Sequence, residues 1–354
     1  MKKNTCFTVL LVVLCLTTIT CSQQPKQKII PWPSDLPIYD HIVIVVEENK
    51  DYEEVIGKEC APYLNNTLKA EGADFTHMYG EEHFSQGNYF WLFSGDNHNV
   101  GFIDTPPTGI PFSSPNLASQ LIKKGRTFKG YAENLPPDHL APRDATGLYA
   151  RKHIPWVSFT NVPDSCTLDF SEFPTTPGGF EQLPTVSFVI PNLANDMHNI
   201  PKGGTQEDAI RKGDTWLKDH IGPYYEWAKN NNSLLIVTFD ENDDKRVYLG
   251  LTNPWFAEYG PDGKPILNDK ELHEDMQNQT ITIFAGAHIK PGEYQEGRGI
   301  THVNILRTIE AMYGLPKAGA QQDNAAGESS NQTRTPLPGI SDNYIITDIF
   351  EKIK

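Results

Sequence analysis

His41-Ile42-Val43-Ile44-Val45-Val46-Glu47-Glu48-Asn49 runs five apolar, largely β-branched residues into two carboxylates and an amide. A stretch of that kind predicts a buried parallel strand that delivers polar side chains at its C-terminal end. In an open α/β sheet, ligands bind in the crevice outside the carboxyl ends of the strands, so hard oxygen donors placed there point to a cation or a phosphate. The pattern recurs. Ser233-Leu234-Leu235-Ile236-Val237-Thr238-Phe239 ends in Asp240-Glu241-Asn242-Asp243-Asp244, and Val186-Ser187-Phe188-Val189-Ile190 leads into Pro191-Asn192-Leu193-Ala194-Asn195-Asp196-Met197-His198. A single acidic cluster after a strand is ordinary capping or turn chemistry. Three such ends in one chain predict convergence on a metal site.

Around these strands the apolar spacing predicts helices over residues 61–72, 116–125 (behind Pro115), 207–221 (stopping at Gly222) and 302–313, with further strands over 127–131 and 281–285. Alternation of strands and helices predicts an α/β domain with a mostly parallel central sheet flanked by helices on both faces. Residues 248–279 lack periodicity and combine Pro254, Gly260, Pro261, Gly263 and Pro265 with Trp255, Phe256 and Tyr259, a composition expected of a lid or of a neutral excursion. Residues 320–332 are rich in Gln, Asn, Gly and Ser and are expected to be disordered.

At 354 residues with 38% hydrophobic composition, the chain can bury a large core. Its net charge of −15 argues against nucleic acid as a partner, because phosphate neutralisation needs clustered Lys and Arg. Residues 1–20 read as a secretory signal peptide, with Lys2 and Lys3 before the apolar run from Phe7 to Leu16. Cys21 stands where a bacterial lipoprotein would be acylated, although Thr20 is larger than the usual residue before it. Residues 21–38, with four prolines, suit a flexible tether, which leaves residues 39–354 as the folded domain. The expected location is therefore exported, periplasmic or on the outer surface, with membrane contact only through that anchor. Cys60 and Cys166 are left to pair with each other or to remain two reduced thiols.

The segment His83-Phe84-Ser85-Gln86-Gly87-Asn88-Tyr89-Phe90-Trp91-Leu92-Phe93 places a small hydroxyl just before an apolar helical stretch. Ser85 would then stand at a helix N-terminus, where unpaired backbone N–H groups attract phosphate and a nearby cation would favour its alkoxide. A plain N-cap serine is the competing reading.

The pieces HIVIVVEEN, CAPYLNNTLKAEG, HFSQGNYFWLFSG, SPNLASQL, TFKGYAENLP, YARKHIPWVSF, FVIPNLANDMHN, LLIVTFDEN and THVNILRTIEAMYGLP run in one order across residues 40–318. Together they resemble the acid phosphatase and phospholipase C group of phosphoesterases, a branch of the alkaline phosphatase superfamily. The resemblance implies an alkaline-phosphatase-like fold and a covalent phosphoryl-enzyme mechanism. It places the nucleophile at Ser85, a phosphate-holding amide at Asn88, and metal ligands at Glu48, Asn49, Asp240 and Glu241. Asp196, His198 and His302 match positions that bind a second cation or contact the phosphate, and His83 and His153 fall in segments that line the pocket. The oxygen-rich donor set implies a divalent ion such as Mg or Ca, while the imidazoles would also admit Zn or Fe.

Two departures stand out: Asn242-Asp243-Asp244 follows the Asp-Glu pair where relatives often have glycines, and Pro137-Asp138-His139 lacks the cysteine expected to partner Cys166. A small phosphorylated substrate, cleaved as a phosphomonoester, is the first expectation. A phospholipase C or other phosphodiesterase is the second, and a sulfatase fits less well because the Pro and Arg spacing around the nucleophile is missing. A non-catalytic lipoprotein that holds a cation or glycan is the alternative from outside enzymology.

Overall fold

In the computed structural model, β1 (His41–Glu47) is the central strand, paired in parallel with β6 (Val186–Ile190) on one side and β7 (Ser233–Phe239) on the other. These are the three apolar runs singled out in the sequence, now side by side. The structure describes residues 33, 35–81, 85–100, 105–243, 278–294, 299–319 and 343–352, all within the unit Trp32–Lys354. The signal segment, most of the tether, the expected lid apart from residues 278–279, the 320–332 segment and His83 lie outside the described residues.

Among the described residues the main sheet has eight strands in the order β10-β2-β9-β7-β1-β6-β4-β5. The remaining members are β2 (Ala73–Phe75), β4 (Phe128–Ala132), β5 (Thr167–Asp169), β9 (Thr282–Gly286) and β10 (Gly292–Tyr294). All neighbours are parallel except β9, which runs antiparallel to both β7 and β2. The sheet is mostly parallel, as expected. A small second sheet joins β3 (Met78–Tyr79), β8 (Gln279–Thr280) and β11 (Ile300–Thr301).

Strand alternation divides the core between two faces. Ile42, Ile44 and Val46 pack with Phe90, Phe93, Trp156 and Ile305, whereas Val43 and Val45 pack with Leu64, Leu217, Tyr224 and Tyr225. The helices, in chain order, are α1 (Tyr52–Val55), α2 (Ser85–Ser94), α3 (Leu117–Lys123), α4 (Pro177–Phe180), α5 (Gln206–Trp216), α6 (Gly222–Ala228) and α7 (His302–Met312). Those on the first face include α2, α3 and α7, and those on the second include α5 and α6. This three-layer arrangement explains why β1, β6 and β7 are mostly apolar: both of their faces are covered. Gly130 in β4 shows how closely the layers meet, since a Cβ there would lie 2.2 Å from the Trp156 ring.

Two helices depart from the sequence reading. The 61–72 segment is wound as a π-helix over Leu64–Lys69. The helix expected to stop at Gly222 continues through a π-turn, Leu217–Ile221, into α6, because Gly222 takes helical angles and Pro223 suits a first helical turn. Cys60 and Cys166 are buried and free, on opposite faces of the sheet. A disulfide between them would have to pass through the strands, which answers the question the sequence left open.

Candidate active site

The site is assembled where β1, β6 and β7 end. The parallel register sets Glu47 opposite Phe239, so Glu48 and Asp240 leave the sheet together. The backbone stitching continues past the strands: Glu48 N donates to Asp196 O at 2.9 Å, Asp240 N to Glu47 O at 3.1 Å, and Lys50 N to Glu241 O at 3.1 Å. Glu48, Asn49, Asp196, Asp240 and Glu241, expected from three separate segments, are thereby brought into one cluster. Asn49 turns the chain with a left-handed φ of 42°, which lets its backbone N donate to Asp240 Oδ1 at 3.0 Å and its Nδ2 to Glu241 Oε1 at 3.3 Å. Met197, between Asp196 and His198, is also left-handed, with φ 70°. Bulky residues in that region are costly and concentrate where a site fixes its backbone.

Ser85 is the first residue of α2 and is buried against these strand ends. Its Oγ lies 3.2 Å from Glu48 Oε2 and 3.1 Å from Glu241 Oε1. A hydroxyl carries one proton, so it can satisfy only one of the two carboxylates at a time. Asn88, three residues on, lies on the same helical face as Ser85 and is likewise buried. Gly80 closes the floor from another side: a Cβ there would come within 2.8 Å of the Asp240 carbonyl oxygen.

Packing this many acids out of water raises their proton affinity. Burial pushes Asp240 up to about 6, with Glu241 adding to the shift, and Asp196 up to about 8. Glu48 is raised well above the ordinary carboxyl range by burial and by Asp240, against which Lys152 and the Tyr89 hydrogen bond act. Lys50 is buried as well, donates to Asn49 O and lies 4.0 Å from Asp243 Oδ2. Three buried oxygens near the strand ends, Asn49 Oδ1, Asp240 Oδ2 and Asp196 Oδ2, have no hydrogen-bond partner among the described residues. Acceptor-only oxygens without donors are the chemistry a hard divalent cation satisfies. Among the described residues, no group of three or more His, Cys, Asp or Glu side chains is arranged to hold a metal ion, so a cation here would need donors such as Asn49 and Ser85 besides the carboxylates.

Two of the expected histidines lie against buried carboxylates. His153, expected to line the pocket for substrate, is buried with Nε2 3.2 Å from Glu48 Oε1 and its ring stacked on Tyr89, centroids 4.9 Å apart. His302, expected to touch phosphate or a cation, has both ring nitrogens engaged, Nδ1 with Glu81 Oε2 at 2.6 Å and Nε2 with Phe239 O at 2.8 Å. Burial alone would lower its pKa, but the Glu81 carboxylate and the Phe239 carbonyl outweigh that and raise it. It therefore sits behind the strand end with both ring nitrogens engaged by Glu81 and Phe239. His198 is exposed on the Asp196 loop, its Nδ1 3.0 Å from Asn199 Oδ1, and interacts electrostatically with Asp240 and Lys50.

Sequence reading passed over Tyr89, whose hydroxyl donates to Glu48 Oε1 at 2.6 Å, along with Lys50, Lys152 and Glu81. The signal for Tyr89 was present: it follows Ser85 by four residues and so shares its helical face. Glu47, part of the acidic run that drew attention, is buried with neither carboxylate oxygen hydrogen-bonded among the described residues.

The sequence model of the Phosphoesterase family matches residues 59–316. A phosphatidylinositol-3-phosphatase of Mycobacterium tuberculosis is 42% identical over 286 residues, 81% of this chain and 81% of that protein. A probable acid phosphatase of Kluyveromyces lactis is 25% identical over 81% of this chain, which spans 61% of the yeast protein's length. Among solved structures, a protein of the alkaline phosphatase superfamily from Vibrio parahaemolyticus superposes with a TM-score of 0.52 at 13% identity, over 84% of this chain and 73% of that one.

Proposed function

Because the chain belongs to the phosphoesterase family and is thereby a hydrolase of phosphoric ester bonds, we propose that it is a metal-dependent phosphomonoesterase acting through a covalent phosphoserine at Ser85. The observation that carries this reading is the position of the Ser85 hydroxyl, at the start of a helix and within 3.2 Å of carboxylates from two adjacent strand ends.

The substrate's phosphoryl group would enter against the N-terminus of α2, where backbone N–H groups and the Asn88 amide hold its non-bridging oxygens. Ser85 Oγ attacks phosphorus in line with the ester oxygen, forming the serine O–P bond as the ester P–O bond breaks. The serine proton passes to a carboxylate in reach, such as Glu48 Oε2 or Glu241 Oε1, and from there to the departing ester oxygen, so that the leaving group departs as an alcohol. A water then attacks phosphorus, its O–P bond forming as the serine O–P bond breaks, and one of its protons goes to the serine oxygen as inorganic phosphate leaves. When bound at Glu48, Asn49, Asp240 and Glu241, a divalent cation would supply Lewis-acid stabilisation of the alkoxide and of the phosphate charge. The unpartnered oxygens of Asn49 and Asp240 favour a hard ion such as Mg or Ca over Zn or Fe.

The similarity to a phosphatidylinositol-3-phosphatase suggests monoesters carried on an inositol lipid, with diesters as the second class. Turnover of nitrophenyl phosphate, phosphatidylinositol 3-phosphate and phosphatidylcholine on metal-analysed protein separates these. Phosphate release from the first two supports the reading, and cleavage of phosphatidylcholine alone replaces it with a phospholipase C. Export under the 1–20 signal, with acylation at Cys21, belongs to the same proposal and is checked by mass spectrometry of the mature N-terminus.

A further inference from the structure

Tyr89 and His153 form a closed contact on the side of Glu48 that faces away from the serine. The Tyr89 hydroxyl donates to Glu48 Oε1 at 2.6 Å, and His153 Nε2 approaches the same oxygen at 3.2 Å. Their rings stack at 4.9 Å with planes 8° apart, and all three side chains are buried. Ser85 takes the other oxygen, Oε2, at 3.2 Å. One helical face thus presents two hydroxyls, four residues apart, to the two oxygens of a single carboxylate.

Resting on the proposed function above, we propose that Tyr89, backed by His153, is a positioning residue that occupies Glu48 Oε1 and so aims Oε2 at the Ser85 oxygen and at any cation bound there. The geometry supports the assignment. The Tyr89 hydroxyl donates to Glu48 Oε1, and the His153 ring packs flat against the tyrosine and holds it over that oxygen. With Oε1 engaged, Oε2 is the oxygen turned toward Ser85, and the hydrogen bond opposes the rotation that would carry it away. Outer partners of this kind, hydrogen-bonded to a ligating carboxylate, are how sites of this chemistry fix their inner ligands.

Tyr89→Phe keeps the ring and the stack and removes only the donor. The expected result is a kcat on nitrophenyl phosphate lowered about 10- to 100-fold with KM within about twofold, and a divalent-ion affinity of the metal-free protein weakened at least about tenfold in calorimetric titration. His153→Phe, which keeps an aromatic ring against Tyr89, is expected to lower both quantities less than Tyr89→Phe does, and it supplies the reading should the tyrosine variant fail to fold. A purely structural tyrosine would lower the melting temperature and leave kcat per folded molecule and ion affinity within about twofold, which would overturn the proposal. Failure of the underlying nucleophile assignment would appear separately, as turnover that survives Ser85→Ala.

Discussion

Ser85 Oγ lies 3.2 Å from Glu48 Oε2, joining the first turn of a helix to the end of the central strand 37 residues earlier in the chain. Two buried carboxylates share that one hydroxyl, with Lys152 acting on Glu48 and Lys50 on the neighbouring Asp196, Asp240 and Asp243. Such an arrangement is poorly satisfied as a resting structure and well matched to a bound cation and a phosphate. The strain on the acids is the property from which most of the expected behaviour follows.

Removal of divalent ions with a strong chelator is expected to suppress phosphate release by at least about 100-fold, and one divalent ion should restore it. Full turnover in protein shown by elemental analysis to be metal-free would contradict the site.

The metal-free protein should lose stability as pH rises. Asp240 and Asp196 have folded pKa values of about 6 and about 8, above their ordinary 3.8, so the folded state binds protons more tightly than the unfolded one. Stability is then fully present below the unfolded value and declines as pH climbs through the folded ones. Thermal melts of metal-free protein from about pH 5 to about pH 8 should show a falling midpoint worth on the order of 1–3 kcal/mol, and saturating divalent ion should flatten it. A midpoint that rises over that range would contradict the assignment.

Much of this site was legible in the sequence, because three apolar runs ended in acids, and parallel strands that are covered on both faces carry an unbroken apolar signal. β6 and β7 match the runs residue for residue, β1 covers the first run as far as Glu47, and Ser85 stands where a small hydroxyl before an apolar helix suggested. The short strands β2, β3, β8, β10 and β11, of two or three residues each, carry too little pattern to be read. The direction of β9 is set by tertiary pairing, which local periodicity does not encode. The histidine surroundings were not legible: Glu81 meets His302 across 221 residues and His153 lies beside Glu48, contacts that no spacing rule foretells.

Gly130→Ala is expected to destabilise the fold by about 1–3 kcal/mol or more in chemical denaturation, because the added methyl would lie 2.2 Å from Trp156 ring atoms in a close-packed layer. An unchanged midpoint would show that the layer yields more easily than its packing indicates.

Cys60 and Cys166 are expected to resist thiol reagents in the native protein and to react fully once it is denatured without reductant, since each is buried on its own face of the sheet. Peptide mapping that recovers a Cys60–Cys166 disulfide would contradict the separation of the two faces.

The most direct measurement is acid quenching of the enzyme during turnover of a phosphate-labelled monoester, followed by peptide mapping, with Ser85→Ala in parallel. The account predicts label on the peptide carrying Ser85 in the unsubstituted protein, and in the variant neither label nor turnover above about one-thousandth of normal. Unlabelled protein together with undiminished turnover by Ser85→Ala would contradict it.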